Sequence, residues 1–218
     1  EENKNGQSPE KEQLLSSLRN AEEMYVFMSL CTKMPYVLCD EETFDDEVLL
    51  YYTEEDAQRE GKKLIEQRIP IQIAKIEKKQ LLGFFSSLYP MGVNGLVINK
   101  NMESEARLQL GELVIRPNTE DLPDGKVWVE NPQLHLTSLY FMQEMRRQEK
   151  PELTEELKGL QEEILVNYGR GRFIVAVHKE NGMPMLKQKN GDAYQPIFTD
   201  ILEFRKFNKE DQFKTMAI

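Results

Sequence analysis

The stretch "DAYQPIFTDILEFRKF", residues 192–207, runs as an apolar strand through Phe198 and passes at Thr199 into a helix. An earlier stretch, "EVLLYYTEEDAQRE", residues 47–60, has the same order: a strand, an aromatic residue, a threonine, an acidic residue and a helix. A threonine hydroxyl can accept a backbone N–H from the first turn of a helix. We therefore interpret Thr53 and Thr199 as helix caps in two related parts of the chain.

Other landmarks keep the same order in the two parts, which predicts a two-copy repeat. The paired landmarks are Tyr25–Met28 with Phe173–Val177, Met34-Pro35 with Met183-Pro184, and Tyr52-Thr53 with Phe198-Thr199. In the second copy, residues 214–218 are expected to be only the beginning of a fourth strand. That copy is thus predicted to be truncated by about 30 residues relative to the first.

Hydrophobic periodicity and turn residues predict the remaining elements. The first part of the chain is expected to contain helices at residues 9–22, after the Thr53 cap and before Pro70, and at 77–89, and strands at residues 24–30, 34–40, 48–53, 70–76 and 94–100. The middle part is expected to contain strands at 112–117 and 126–130 and helices at 134–148 and 152–168, the last closed by Gly169.

Two Asn-Gly pairs predict hairpin turns near the C-terminus. Asn181-Gly182 and Asn190-Gly191 separate three apolar runs, at residues 172–178, 183–188 and 193–198. These runs are predicted to form an antiparallel three-stranded meander.

The segments "GRFIVAVH" (171–178), "GMPML" (182–186) and "GDAYQPIFTDILEFRKF" (191–207) resemble the N-terminal domain of the SseB family, the enhanced serine sensitivity proteins. Its hallmark is a Gly-flanked strand that ends in Phe-Thr and is followed by a helix. "LLGFFSSLYPMGVNGLVINK" (81–100) is similar to the closing helix, turn and strand of that domain, with Lys100 in place of the usual Pro. The first copy also has Tyr52 in place of Phe and lacks the Gly before the strand. The resemblance implies a bacterial protein, brings no catalytic residues, and implies an α+β fold.

The predicted fold class is therefore α+β, with two related units of mainly antiparallel strands packed with helices and joined by a helical segment. Residues 1–100 are expected to form the first SseB-like unit with its leading helix, and 101–168 an elaboration and helical connector. Residues 169–218 are expected to form the second, incomplete SseB-like unit.

The composition disfavours several function classes. The 38 acidic and 28 basic residues give a net charge of −10, which repels nucleic-acid phosphates and anionic lipids. No apolar run approaches the roughly 20 residues of a membrane span, so a soluble protein is expected. The N-terminal residues show no signal peptide, so a cytoplasmic location is the expectation.

Few residues are candidates for chemistry. Two histidines, His135 and His178, are too few for a histidine-based metal cluster unless they are paired with carboxylates or cysteine, and His178 is expected to have a structural or surface role. The cysteines, Cys31 and Cys39, are expected to be reduced, non-catalytic thiols. The acidic run at residues 40–47 could gather a hard cation but is interpreted as a solvated loop.

The segment "YGRGRF" (168–173) is interpreted as a helix-ending turn, although its backbone N–H groups and two arginines could seat a phosphate. Arg170 and Arg172 are therefore weak candidates for ligand binding. No catalytic residue, metal site or cofactor is predicted.

The first functional hypothesis is a non-enzymatic bacterial protein that acts through protein–protein contacts in the cytoplasm, with a homo-oligomer as an open alternative. The main rival is a sensor or enzyme for a small molecule, an amino acid or a nucleotide, which would use a cleft between the two units near Arg170 and Arg172. A weaker alternative is a secretion-associated factor.

Overall fold

The chain forms two compact α+β units. A computed structural model describes residues 9–116, 122–123, 126–148, 152–178 and 180–218. Unit 1 comprises Glu1–Tyr89, Val93–Arg116 and Leu139–Leu153, and unit 2 comprises Pro90–Gly92, Pro117–Ser138 and Thr154–Ile218. The boundaries predicted after residues 100 and 168 fall inside unit 1 and unit 2, respectively.

Unit 1 is built on a six-stranded sheet. Its elements are α1 (Pro9–Asn20), β1 (Glu23–Ser29), β2 (Val37–Cys39), β3 (Asp46–Tyr51), α2 (Glu54–Glu66), β4 (Ile71–Glu77), α3 (Lys78–Leu88), β5 (Gly95–Ile98), β6 (Ala106–Gln109) and α4 (Leu110–Leu113). The strand order is β4-β1-β3-β5-β6, and β2 pairs with β3. All neighbours are antiparallel except β3 and β5, which run parallel.

The core of unit 1 forms around β1. Four consecutive residues of this strand, 24–27, are buried, as expected for a central strand with both faces covered. The ring of Phe27 lies 5.2 Å from the ring of Tyr51 on β3, and Ala57 of α2 packs into the same cluster. Apolar burial at these positions is the main stabilising contribution to the unit.

Unit 2 has a smaller sheet. Its remaining elements are α5 (Pro132–Arg147), α6 (Glu155–Arg170), β7 (Ile174–His178), β8 (Leu186–Lys187), β9 (Ala193–Tyr194), β10 (Ile197–Phe198), α7 (Ile201–Phe207) and β11 (Phe213–Ala217), with residues 139–147 of α5 belonging to unit 1. The sheet order is β10-β7-β11, and both pairs are antiparallel. Phe198 contacts Phe204 and Phe207 with ring centroids 5.5 and 5.3 Å apart, which packs α7 onto the sheet.

The two sheets share one topology. In unit 1, β1 lies between β3 and β4, and α2 connects those two outer strands. In unit 2, β7 lies between β10 and β11, and α7 makes the connection. Thus the strands that contain Tyr25–Met28 and Ile174–Val177 occupy equivalent central places, and residues 213–217 pair with β7 as β4 pairs with β1.

The predicted meander is wrong in its pairing. β8 and β9 pair only with each other, in a separate two-stranded sheet, and a single bridge between His178 and Gly182 links β7 to the start of that hairpin. The neighbours of β7 are instead β10 and β11, which are farther along the chain. The Asn-Gly turns fix the local hairpin, but they do not determine which strand joins the main sheet.

Both strands predicted in the middle of the chain are also wrong. Within residues 112–117, the described structure is the end of α4 and an irregular segment, because Gln109 and Glu112 form a capping box that starts a short helix. The strand lies earlier, at β6. Residues 126–130 form no strand, and Val129 is buried in the core of unit 2 through an irregular segment.

Two predicted helix boundaries need correction. Gly169 lies inside α6, which continues to Arg170 and has Gly171 as its C-cap. Thr199 does not cap α7. Asp200 is the N-cap, and its Oδ1 accepts the backbone N–H groups of Leu202 at 2.8 Å and Glu203 at 3.1 Å. An ionised carboxylate also interacts favourably with the helix dipole, which gives it the advantage over a hydroxyl.

Thr53 caps α2 as predicted, since its Oγ1 accepts the backbone N–H of Asp56 at 3.2 Å. We expect Thr53→Ala to lower the free energy of unfolding by about 1 kcal/mol. Asp200→Ala should lower it by about 2 kcal/mol, because the partly buried backbone donors of Leu202 and Glu203 lose their acceptor. Urea denaturation followed by circular dichroism measures both losses. A Thr199→Ala variant that loses as much stability as Asp200→Ala would contradict the assignment of the cap.

Candidate functional site

A cleft of about 210 Å³ lies at one end of three neighbouring strands of unit 1. Glu47 on β3 is in register with Gly95 on β5, which is in register with Gln109 on β6. We call this cleft the acidic cleft; its lining residues are Lys11, Thr43, Asp45, Glu47, Gly95, Arg107, Leu108, Gln109 and Glu112. The sheet therefore brings together side chains that are far apart in the sequence.

Gly95 is needed for the side chain of Glu47 to lie close to the backbone of β5. A Cβ atom at position 95 would lie 2.9 Å from Cγ of Glu47 and 3.4 Å from Cβ of Asp45. Any larger residue would displace the Glu47 side chain, so the glycine allows a long acidic side chain to lie across the neighbouring strand.

Arg107 organises the charges beside the cleft. Its Nη1 atom lies 2.5 Å from Oδ2 of Asp40 and 3.0 Å from Oε1 of Glu47, and its Nε atom lies 3.6 Å from Oε1 of Glu105. The hydrogen bond from Arg107, together with backbone N–H groups of Thr43 and Glu42, lowers the pKa of Asp40. One guanidinium group thus faces three carboxylates, and negative charge remains in excess.

Glu47 is the least exposed of these acids, with 3% of its surface accessible. Its Oε1 atom is bound by Arg107, but its Oε2 atom is buried and has no hydrogen-bond partner among the described residues. Burial raises the pKa of Glu47, and the positive charge of Arg107 only partly opposes this effect. The folded protein therefore holds an incompletely compensated carboxylate at this position.

Asp45 and Glu112 add further negative charge to the acidic cleft. Oδ1 of Asp45 accepts a hydrogen bond from Asn94 at 2.6 Å, and Oδ2 accepts one from Gln109 at 2.8 Å. Both donors are neutral amides, which orient the carboxylate without cancelling its charge. Glu112 forms an ion pair with Lys11.

The acidic run was interpreted from the sequence as a solvated loop, which is wrong for Asp40 and Glu47. The side chain of Asp40 is only 14% exposed, and it also accepts backbone N–H groups of Glu42 and Thr43 in a local turn. Sequence reasoning missed the site because Gly95 and Arg107, which define it, lie far along the chain. The alternation of Arg107, Leu108 and Gln109, exposed, buried and exposed, was the available signal for a strand there.

A second polar cluster lies in unit 2, where α5 and α7 place His135, Asp200 and Glu203 together. Nδ1 of His135 lies 3.5 Å from Oδ2 of Asp200, and Nε2 lies 4.0 Å from Oε1 of Glu203. Burial would raise the pKa of Asp200, but His135, the hydroxyl of Thr199 and the backbone N–H of Glu203 together lower it. These contacts stabilise the ionised carboxylate at the cap of α7.

This His135 cluster could hold a metal ion, since each residue offers a donor atom and these atoms lie within 4.8 Å of one another. The two carboxylates already have protein partners, whereas Nδ1 of His135 is buried and has no hydrogen-bond partner among the described residues. Asp200 caps α7 and accepts the Thr199 hydroxyl at 2.8 Å, and Glu203 pairs with Lys206 at 2.5 Å. The roles of Asp200 as a helix cap and of Glu203 as the partner of Lys206 are therefore explained within unit 2, and the position of His135 Nδ1 beside them is not.

The predicted ligand-binding arginines lie at the surface. Arg170 is the last residue of α6, Arg172 follows its C-cap, and both are exposed. The backbone carbonyl of Arg172 accepts a hydrogen bond of 2.6 Å from Asn131, so the segment serves as an anchored helix end. Binding of a small molecule near these arginines stays a prediction.

The thiols are free, as expected. Cys31 is buried and Cys39 is exposed. Burial and the nearby acids Asp46 and Asp40 raise the pKa of Cys39, which lowers the thiolate fraction needed for nucleophilic chemistry. Nδ1 of His178 accepts the backbone N–H groups of Glu180 and Asn181 at 3.2 Å, which gives this residue a structural role in a turn.

The hairpin formed by β8 and β9, residues 182–195, exposes large apolar side chains. Leu186 and Tyr194 are directly paired across the two strands, and each is 50% exposed. Met183 and Met185 are 42% and 52% exposed. We call these four residues the apolar hairpin surface.

Comparisons with known proteins provide no family. No family model matches the chain, and no curated protein matches it. Among solved structures, the chain is similar to Tic22 from Plasmodium falciparum, with 14% sequence identity, a TM-score of 0.26, and coverage of 94% of this chain and 82% of that one. At this TM-score the likeness supports no conclusion about fold or function. Within the described residues, no helix combines the length and apolar character needed to cross a membrane.

The buried charge of Glu47 predicts an unusual effect of its neutral isostere. Because burial raises its pKa in the folded state, ionisation of Glu47 disfavours folding, and this penalty grows as the pH rises through the folded pKa. We expect Glu47→Gln to increase the melting temperature at pH 7. The gain should disappear near pH 4, where Glu47 is increasingly protonated. Differential scanning calorimetry at the two pH values tests this, with the exposed Glu103→Gln variant as control. A lower melting temperature of Glu47→Gln at pH 7 would contradict the interpretation.

The contribution of Asp200 to stability should depend on pH in the opposite direction. Its pKa is lowered in the folded protein, so its stabilising contribution is present above the unfolded pKa of about 3.9 and disappears as the pH falls through the folded value. Asn can still cap the helix but cannot titrate. We expect the free energy of unfolding of Asp200→Asn to fall less steeply than that of the wild type between about pH 5 and pH 2. Urea denaturation at several pH values in this range measures the free energy of unfolding. If it falls equally steeply with pH in both proteins, Asp200 is not the stabilising ionised cap.

Proposed function

We propose that the protein is a non-enzymatic binding protein that contacts a protein partner through the apolar hairpin surface. The exposure of Met183, Met185, Leu186 and Tyr194 on one short hairpin carries this proposal. The SseB resemblance adds a bacterial setting to the proposal, and a cytoplasmic location is proposed with it.

The apolar side chains of the hairpin do not contribute to the core of unit 2. All four residues of β8 and β9 are exposed, and the apolar cluster around Phe204 is formed by other segments. Exposed apolar surface is hydrated at a free-energy cost of roughly 25 cal/mol per Å², which a partner would remove. Tyr and Met are enriched at protein interfaces, and the flexible Met side chain adapts to differently shaped partners.

The turn presents this surface in a defined geometry. Gly191 has a φ of +93°, which an L-residue with a side chain rarely adopts, and the backbone N–H of Gly191 donates to the carbonyl of Gln188 at 3.0 Å. The side chain of Asn190 accepts the backbone N–H of Asp192 at 3.0 Å. These bonds set the register that places Leu186 opposite Tyr194.

Site-specific photo-crosslinking tests the proposal in cells that produce the protein. A photoreactive phenylalanine at position 194 should give a discrete protein adduct, and the same group at the exposed Phe44 of unit 1 should not. An adduct of twice the mass of the chain would identify the partner as a second copy. Equal adducts from both positions, or no adduct from position 194, would contradict the proposal.

Binding to the partner identified in this way gives the quantitative test. A Leu186→Ser/Tyr194→Ser variant should bind at least about tenfold more weakly, since interface aromatic and aliphatic anchors each contribute about 1 kcal/mol or more. A matched Lys187→Ser/Lys189→Ser variant changes the polar residues of the same hairpin and should bind within about threefold of the wild type. Equal losses in both variants would show that the apolar hairpin surface is not the contact.

A further inference from the structure

The His135 cluster of unit 2 contains a buried donor atom that the surrounding fold does not use. Nδ1 of His135 has no hydrogen-bond partner among the described residues. It lies 3.5 Å from Oδ2 of Asp200, and the two side chains are 11% and 1% exposed. Nearly all buried polar atoms in folded proteins have a partner. The position of this nitrogen beside a carboxylate therefore indicates a positively charged group that the two atoms can share.

Asp200 has one acceptor position left for such a group. A carboxylate has about four lone-pair sites. Those of Oδ1 are used by the backbone N–H groups of Leu202 and Glu203, and Oδ2 accepts the hydroxyl of Thr199. The remaining site is on Oδ2, the oxygen that lies 3.5 Å from Nδ1 of His135. The same carboxylate can thus cap α7 and hold a further ligand.

The separation of the two atoms fits a shared metal ion better than a shared proton. A charge-assisted N–H···O hydrogen bond is about 2.7–2.9 Å long. Zinc bonds of about 2.0–2.2 Å in a tetrahedral arrangement place two ligand atoms about 3.3–3.6 Å apart. The distance of 3.5 Å between Nδ1 of His135 and Oδ2 of Asp200 lies in the second range.

Glu203 is placed to supply a third ligand. It lies on the first turn of α7, and a carboxylate oxygen of Glu203 is within 4.8 Å of the donor atoms of the other two residues. Its present partner is Lys206, whose side chain is 51% exposed, and ion pairs at the surface contribute little to stability. A metal ion can therefore replace Lys206 at small cost. The side chain of Glu203 is itself 26% exposed, which opens the cluster to solvent on this side.

We propose that His135, Asp200 and Glu203 bind a Zn²⁺ ion, with a water molecule as the fourth ligand. Imidazole nitrogen is a good ligand for zinc, whereas Mg²⁺ and Ca²⁺ prefer a larger number of oxygen ligands. The two carboxylates balance the charge of the ion. The bound ion joins α5 to α7 within unit 2. This site is independent of the partner contact proposed for the hairpin.

Isothermal titration calorimetry on the full chain, freed of metal with a chelator, tests this inference. We expect one Zn²⁺ ion per chain to bind with a Kd on the order of 10 μM or tighter. Mg²⁺ and Ca²⁺ in large excess should give no saturable binding. Because the site exists only in the folded chain, saturating Zn²⁺ should also raise the melting temperature by about 5 °C or more.

Matched variants locate the ion. His135→Gln and Glu203→Gln should each weaken zinc binding at least about tenfold. His178→Gln, Cys39→Ser and the exposed Glu210→Gln remove other possible zinc ligands and should leave the Kd within about twofold of the wild type. Glu203 is partly exposed, so Glu203→Gln keeps the test valid even if circular dichroism shows that His135→Gln does not fold. No saturable zinc binding by the wild type, unchanged binding by both cluster variants, or a loss confined to the other three variants would overturn the inference.

Discussion

Both units depend on a central strand that is hydrogen-bonded on both edges. β1 pairs antiparallel with β3 and with β4, so these outer strands run parallel to each other and cannot be joined by a tight turn. The chain must cross the sheet, and α2 makes this crossing. Its close packing is visible at Gly61, where a Cβ atom would lie 3.2 Å from the ring of Phe27. The same constraint gives α7 its place between β10 and β11.

Local chemistry allowed much of the fold to be predicted. The cap at Thr53, the Asn-Gly turns and the apolar runs act over a few residues, and they indicated most of the helices and strands and the α+β class. Strand pairing acts over long distances, so the meander was assigned to the wrong neighbours. The strand at residues 112–117 was a different failure, because Leu113 and Val114 are buried by a short capped helix instead of by a sheet.

The candidate site was less predictable than the fold. The acids at residues 40–47 are visible in the sequence, but their burial and net charge are not. The charge depends on Arg107, which neutralises part of it, and the burial of Glu47 depends on Gly95, which makes room for its side chain. Neither partner is adjacent in the chain, and only the β3-β5-β6 register brings them together. The pairing of the strands therefore decides whether an acid of this run is hydrated in a loop or buried in the sheet.

The hairpin of β8 and β9 pairs separately from the three-stranded sheet of unit 2. Its strands pair only with each other, and its register is fixed by the turn at residues 188–192. Substitutions at the exposed positions therefore alter little of the packing that holds unit 2 together. The exposed surface of the hairpin and the stability of unit 2 are thus separable, because a substitution at Leu186 or Tyr194 changes that surface and leaves the pairing of β7 with β10 and β11 in place.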